Sequence, residues 1–84
     1  MKIFEVPGYA AISETGFIFL GNTGETFNLN EIGKEIYELI KKKKPYDEIV
    51  SEIMNNYDSD QLTVERDLDD FINQLKSFGL VTEK

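Results

Sequence analysis

The sequence predicts a small α+β domain of winged-helix type, a three-stranded antiparallel sheet packed on a three-helix cluster. Three observations carry this. The first third of the chain alternates short β-branched and aromatic runs with Gly-rich turns, Pro7-Gly8 and Asn22-Thr23-Gly24 among them. The rest reads with helical periodicity, broken at Pro45 and again by a loop at Tyr57 to Gln61, and ended at Gly79. With 84 residues there is room for one domain, residues 1–84, with a modest core.

The strands come first. Lys2–Val6 is a short β candidate ended by Pro7-Gly8, and Tyr9–Ser13 is a weaker extended segment. Gly16–Gly21 encloses Phe17-Ile18-Phe19-Leu20, the strongest strand signal in the chain. Glu25–Leu29 alternates, with Phe27 and Leu29 on one face and Thr26 and Asn28 on the other, and forms a hairpin with the strand before it.

The helices follow. Asn30 is an N-cap with Glu31 in the first turn, and the first helix runs to about Lys43 on the stripe Ile32, Ile36, Leu39 and Ile40. A second helix covers about Tyr46 to Asn56, with Ile49, Val50, Ile53 and Met54 inward. After a loop from Tyr57 to Gln61, Thr63 caps a third helix from Val64 to about Phe78, its stripe being Val64, Leu68, Phe71, Ile72, Leu75 and Phe78. Gly79 stops it and Leu80 folds back on its last turn.

Composition excludes much chemistry. The chain has no Cys and no His, which removes thiolate and imidazole ligands and the commonest nucleophile–base pairs. Asp58-Ser59-Asp60-Gln61 lacks the central Gly and closing Glu of a calcium loop. Asp69 and Asp70 fall on a solvated helix face, and Gly21-Asn22-Thr23-Gly24 is not a phosphate loop. No enzyme activity, metal or other cofactor is expected. No apolar run spans a bilayer and no signal-peptide core opens the chain, so it reads as cytoplasmic and not membrane-bound. Nine basic residues against sixteen acidic give a net charge of −7, which suits a cationic protein or peptide and disfavours nucleic acid. Lys41–Lys44, the one basic run, reads as a solvated helix C-terminus.

The usable surface is a strand edge. Glu25–Leu29 lies at one side of the meander and carries no Lys, Pro or bulge to guard its free amides and carbonyls. Such an edge either takes up an extended peptide as an added strand or is merely short and covered by the third helix. Asp67 sits on the flank of the third helix's apolar stripe, beside Phe71 and Gln74, either as a solvated carboxylate or as a charged post at the lip of a groove. Phe17-Ile18-Phe19-Leu20 is apolar on both faces. Its second face is covered either by the N-terminal segment around Phe4 and Tyr9 or by a dimer mate or partner enzyme.

In order, Leu29-Asn30, Ile36-Tyr37-Glu38-Leu39, Asp47-Glu48-Ile49, Asp67-Leu68, Phe71, Leu75 and Gly79-Leu80-Val81 resemble the PqqD-like family, also called the RiPP recognition element (RiPP: ribosomally made, post-translationally modified peptide). The resemblance covers about residues 16 to 82. It implies a winged-helix domain that binds the leader of a precursor peptide as an added strand and presents it to a separate modifying enzyme, a radical-SAM protein or a leader protease. Carried over to this chain, the peptide-binding residues are Glu25, Thr26, Phe27, Asn28 and Leu29 on the strand and Val64, Asp67, Leu68, Phe71, Gln74 and Leu75 on the third helix. Two departures stand out: Lys43-Lys44-Pro45 replaces the family's usual Gly-x-Thr, and Tyr37 stands where Trp is common. Two other readings remain open, a winged-helix DNA-binding regulator and a scaffold subunit of a maturation enzyme. Against the first, Glu65, Asp67, Asp69 and Asp70 would face phosphates badly.

Overall fold

A computed structural model describes residues 3–83. The chain forms β1 (Phe4–Glu5), β2 (Ala10–Ile12), β3 (Phe17–Leu20), β4 (Thr26–Asn28), α1 (Glu31–Lys41), α2 (Tyr46–Tyr57), α3 (Gln61–Ser77) and β5 (Thr82–Glu83). The three-stranded antiparallel sheet has the order β2-β3-β4, with Ala11 opposite Phe19 and Phe19 opposite Thr26. Alternation along β3 decides which face is inside: Ile18 and Leu20 are buried against the helices, while Phe17 and Phe19 are exposed. The N-terminal segment does not cover that second face. Phe4 is buried in the core, and the Tyr9 hydroxyl donates to the Gly79 carbonyl.

Gly16 closes the β2–β3 turn and only glycine fits there. Its φ is +87°, and a Cβ would stand 2.9 Å from the Leu29 carbonyl oxygen. Close backbone approach at this point draws the start of α1 onto the sheet, with the Leu29 amide bonded to the Gly16 carbonyl at 2.9 Å.

Asn30 caps α1 as its sequence position predicts, Oδ1 accepting from the Gly33 amide at 2.8 Å. The helix ends earlier than periodicity suggests, at Lys41, in a Schellman turn: the Lys43 amide donates to Ile40 and the Lys44 amide to Leu39. That turn puts Lys43 at φ 61°, a left-handed position glycine would occupy without strain. Lys43→Gly is therefore expected to stabilise the fold by about 0.5–1 kcal/mol, visible as a melting temperature roughly 2–8 °C higher. The Lys43–Glu5 ion pair it removes is long, at 3.8 Å, and solvated. An unchanged or lower melting temperature would show that the turn carries no strain.

Pro45 is the N-cap of α2, with Asp47 and Glu48 in the first turn and Ile49, Val50 and Ile53 inward. The α3 boundary differs from expectation. The helix begins at Gln61 with Asp60 as N-cap, so Thr63 lies inside its first turn rather than capping it, and only Asp58–Asp60 separate the two helices. Asp58 makes so short a link possible by taking a left-handed conformation, φ 51°. At the other end Gly79, φ +75°, turns the chain: its amide bonds Lys76 and the Leu80 amide bonds Leu75, a second Schellman turn.

β1 lies within the expected Lys2–Val6 strand, but its ribbon partner β5 is an element the sequence does not announce. Phe4 pairs with Glu83 and Glu5 with Thr82, tying the two ends of the described chain together. Lys76 holds this ribbon from α3, its Nζ 2.7 Å from Glu83 Oε1 and 5.3 Å from the centre of the Phe4 ring. Tyr37 is the other tie: fully buried, it donates through its hydroxyl to the Leu80 carbonyl at 2.9 Å. The core is otherwise aliphatic, built on Ile18, Leu20, Ile36, Ile40, Ile49, Ile53, Leu68, Ile72 and Leu75.

Candidate peptide-binding groove

The free edge of β4 can be located atom by atom. Backbone bonds join Leu20 to Glu25 and Leu29 to Gly16, and the register pairs Ile18 with Phe27. In an antiparallel ladder directly bonded pairs alternate with unbonded ones. Glu25, Phe27 and Leu29 therefore point their amides and carbonyls at β3, while Thr26 and Asn28 point theirs away from it. No strand lies on that side among the described residues. Within Glu25–Leu29 the outward main-chain groups are those of two residues, Thr26 and Asn28. The opposite edge, on β2, is less available: by the same alternation Ala10 and Ile12 face outward, and the Ala10 amide is taken by the Pro7 carbonyl.

Beside β4 the surface sinks into an apolar cleft of about 420 Å³ between that strand and the helices. Phe27, Asn28 and Leu29 line one side; Val64, Asp67, Leu68, Phe71, Gln74 and Leu75 line the other. The residues expected from the sequence therefore meet around one space, except Glu25 and Thr26, which lie on the edge outside it. Their accessibility differs. Val64, Leu68 and Leu75 are buried and form the floor, whereas Phe71, Phe27 and Leu29 are half-buried walls.

Other lining residues were not expected. Ile32 and Gly33 of α1 and Tyr57 of α2 extend the cleft beyond the end of β4, and Phe78 closes it at the other end. Phe78 belongs to the apolar stripe of α3 by spacing, yet at the C-cap it is 53% exposed and leans on Phe27, ring centres 5.2 Å apart. Gly33 explains how Phe71 lies so close to α1. A Cβ at this position would meet Phe71 Cζ at 3.1 Å. A glycine in the first turns of an otherwise strong helix was the available signal, since it lowers helix propensity and marks a close approach.

Asp67 stands at the lip of the cleft with an exposed carboxylate, and its ion pair to Arg66 Nε is long at 3.8 Å. Tyr57 turns its hydroxyl to Glu35, whose carboxylate pushes the phenol's pKa up. No group of three or more acidic residues that could hold a metal occurs among the described residues. No helix there is long and apolar enough to cross a membrane.

Solved structures share this architecture. The chain superposes on TbiB1 in complex with the TbiA(beta) leader peptide with a TM-score of 0.83 and 31% sequence identity, over 92% of this chain and 93% of that one. A lasso peptide synthetase B1 complexed with its leader peptide superposes with a TM-score of 0.85 over 94% and 96%, at 18% identity, a likeness of fold alone. No curated protein matches the chain at a significant level. The family of coenzyme PQQ synthesis protein D (PqqD) matches residues 14–81. A groove of this build, on a chain matched over that range, places the protein in the PqqD family of RiPP recognition elements.

Proposed function

We propose that the protein binds the leader segment of a ribosomally made precursor peptide by adding it as a strand to β4 beside α3, and so presents it to a separate modifying enzyme. The observation that carries this is the coincidence of two features. Outward main-chain donors and acceptors at Thr26 and Asn28 border an apolar cleft whose opposite wall is α3. Pairing with the edge provides sequence-tolerant affinity, and the cleft selects alternate side chains of the guest. The contacting set is Glu25 to Leu29 from the strand and Asp67, Phe71 and Gln74 from α3, over a floor of Val64, Leu68 and Leu75. The enzyme class is a radical-SAM protein or a leader protease, and the chain itself acts without catalysis or cofactor. A reader-helix role in DNA binding is not favoured, because Asp67, Asp69 and Asp70 are exposed on α3.

The test is titration of the purified chain with the N-terminal part of a short peptide encoded beside its gene, followed by fluorescence anisotropy. Binding at micromolar concentration or tighter is expected. No binding at 100-fold higher concentration would overturn the proposal.

A further inference from the structure

We propose that the guest peptide is read a second time, on the outer face of the sheet: the side chains at the two positions that pair with Thr26 and Asn28 reach over these residues to Phe19 and Phe17, and both positions take basic side chains, arginine above all. This inference rests on the strand-addition reading.

The geometry follows from the register. Thr26 pairs with Phe19 and Asn28 with Phe17, so these four side chains share the solvent face of the sheet, together with Ala11 opposite Phe19. Residues paired across a ladder project to the same face. Thr26 and Asn28 are also the residues whose main chain is free to bond a guest. In an antiparallel guest, the two residues bonded to them therefore project outward, and the residue between them, opposite Phe27, projects into the cleft. The cleft reads the residues on the Phe27 face; the outer face is left to read the two that pair with Thr26 and Asn28.

The outer face has the means to do so. Phe17 and Phe19 are 40% and 46% exposed. Strands in a sheet are about 4.8 Å apart, which puts the guest backbone about 10 Å from β3. Only Thr26 and Asn28 intervene, and both are short. An arginine on the guest spans this distance, its methylenes lying on the Thr26 methyl and its guanidinium over a phenylalanine ring. Charge favours the same choice. No residue of β2, β3 or β4 is charged, so no cation of these strands opposes a basic guest on this face, and the whole chain carries −7. A second copy, equally acidic, is disfavoured as the occupant.

The expected guest pattern is thus basic–apolar–basic. A random nine-residue peptide library, displayed on phage, is selected on the wild-type chain, on Phe17→Ser/Phe19→Ser and on Thr26→Pro. The serine variant changes only exposed rings, and circular dichroism checks its fold. Wild-type selection is expected to enrich the full pattern, the serine variant to keep the apolar position and lose the basic ones, and Thr26→Pro to enrich neither. For a selected peptide, each Arg→Ala change is expected to weaken wild-type binding about three- to five-fold and the serine variant less than two-fold. Equal basic enrichment with and without the two rings overturns the inference while leaving strand addition intact. So does a peptide-free wild type that sediments as a dimer which the serine variant dissociates. Enrichment that survives Thr26→Pro overturns strand addition itself, and this inference with it.

Discussion

Thr26→Pro is expected to lower affinity for the leader peptide by about 30-fold or more while leaving the far-ultraviolet circular dichroism close to that of the wild type. The Thr26 amide faces away from β3, so the folded chain loses no internal hydrogen bond when proline removes it. The complex loses one, and a guest carbonyl is left unpaired against an apolar cleft, a penalty of about 1–3 kcal/mol on top of the lost bond. A total of about 2 kcal/mol or more corresponds to roughly 30-fold in dissociation constant. Phe27→Pro is the internal control. Its amide faces Ile18 and its ring supports the core, so this change is expected to unfold the hairpin rather than merely weaken binding. Anisotropy and circular dichroism on the two variants separate the effects. Unchanged affinity in Thr26→Pro would contradict edge pairing.

The second large effect is alkaline destabilisation through Tyr37. Burial, and to a smaller extent Tyr9, pushes its pKa from 10.0 up to about 12. Below pH 10 the phenol is neutral in both the folded and the unfolded chain and stability does not depend on it. Between pH 10 and 12 the unfolded chain loses this proton while the folded chain keeps it, so stability falls by up to about 1.4 kcal/mol per pH unit, roughly 2–3 kcal/mol in all. A domain of this size has about 4–12 kcal/mol in total. Tyr46 acts in the same direction, its pKa raised by burial and by the bond its hydroxyl donates to Asp69. Tyr37→Phe is expected to be about 1–2 kcal/mol less stable at pH 7, because the Leu80 carbonyl loses its donor. Its stability should then fall less steeply above pH 10. Urea midpoints at pH 8, 10 and 11.5 for both proteins check this. Parallel slopes would show that another group governs the alkaline limb.

Local signals located much of this architecture. Asn30, Pro45 and Gly79 each have one physical role available, and each takes it. Phe17 to Leu20 announces a strand, but it is apolar on both faces, and only the packing of the helices on Ile18 and Leu20 decides which face is buried. What escaped depends on distant partners. Strand β5 is two residues whose only reason to extend is β1, about eighty positions away, and no periodicity can show in so short a run. Tyr37 lies off the aliphatic stripe of α1 and is buried because the chain returns over it after Gly79. The start of α3 is ambiguous in the sequence because Thr63 and Asp60 are both competent caps, and the choice between them is made by how tightly α2 and α3 must be joined.

The groove divides along the same line. Its strand was expected from edge exposure, and its α3 wall from the family resemblance, with only the flank position of Asp67 read from helical spacing. Its end walls were not, because Ile32, Gly33 and Tyr57 become lining residues only when α1 and α2 converge on α3. Phe78 was expected inward, but helix termination at Gly79 leaves its ring on the surface against Phe27.

Amide hydrogen exchange across β4, measured by NMR with and without saturating leader peptide, reports on the proposed pairing most directly. Phe27 and Leu29 are expected to exchange slowly in both states, because they already bond β3. Thr26 and Asn28 are expected to exchange freely in the unliganded chain and to become protected when peptide is added. Protection that appears on α3 while Thr26 and Asn28 stay as fast as before would contradict strand addition.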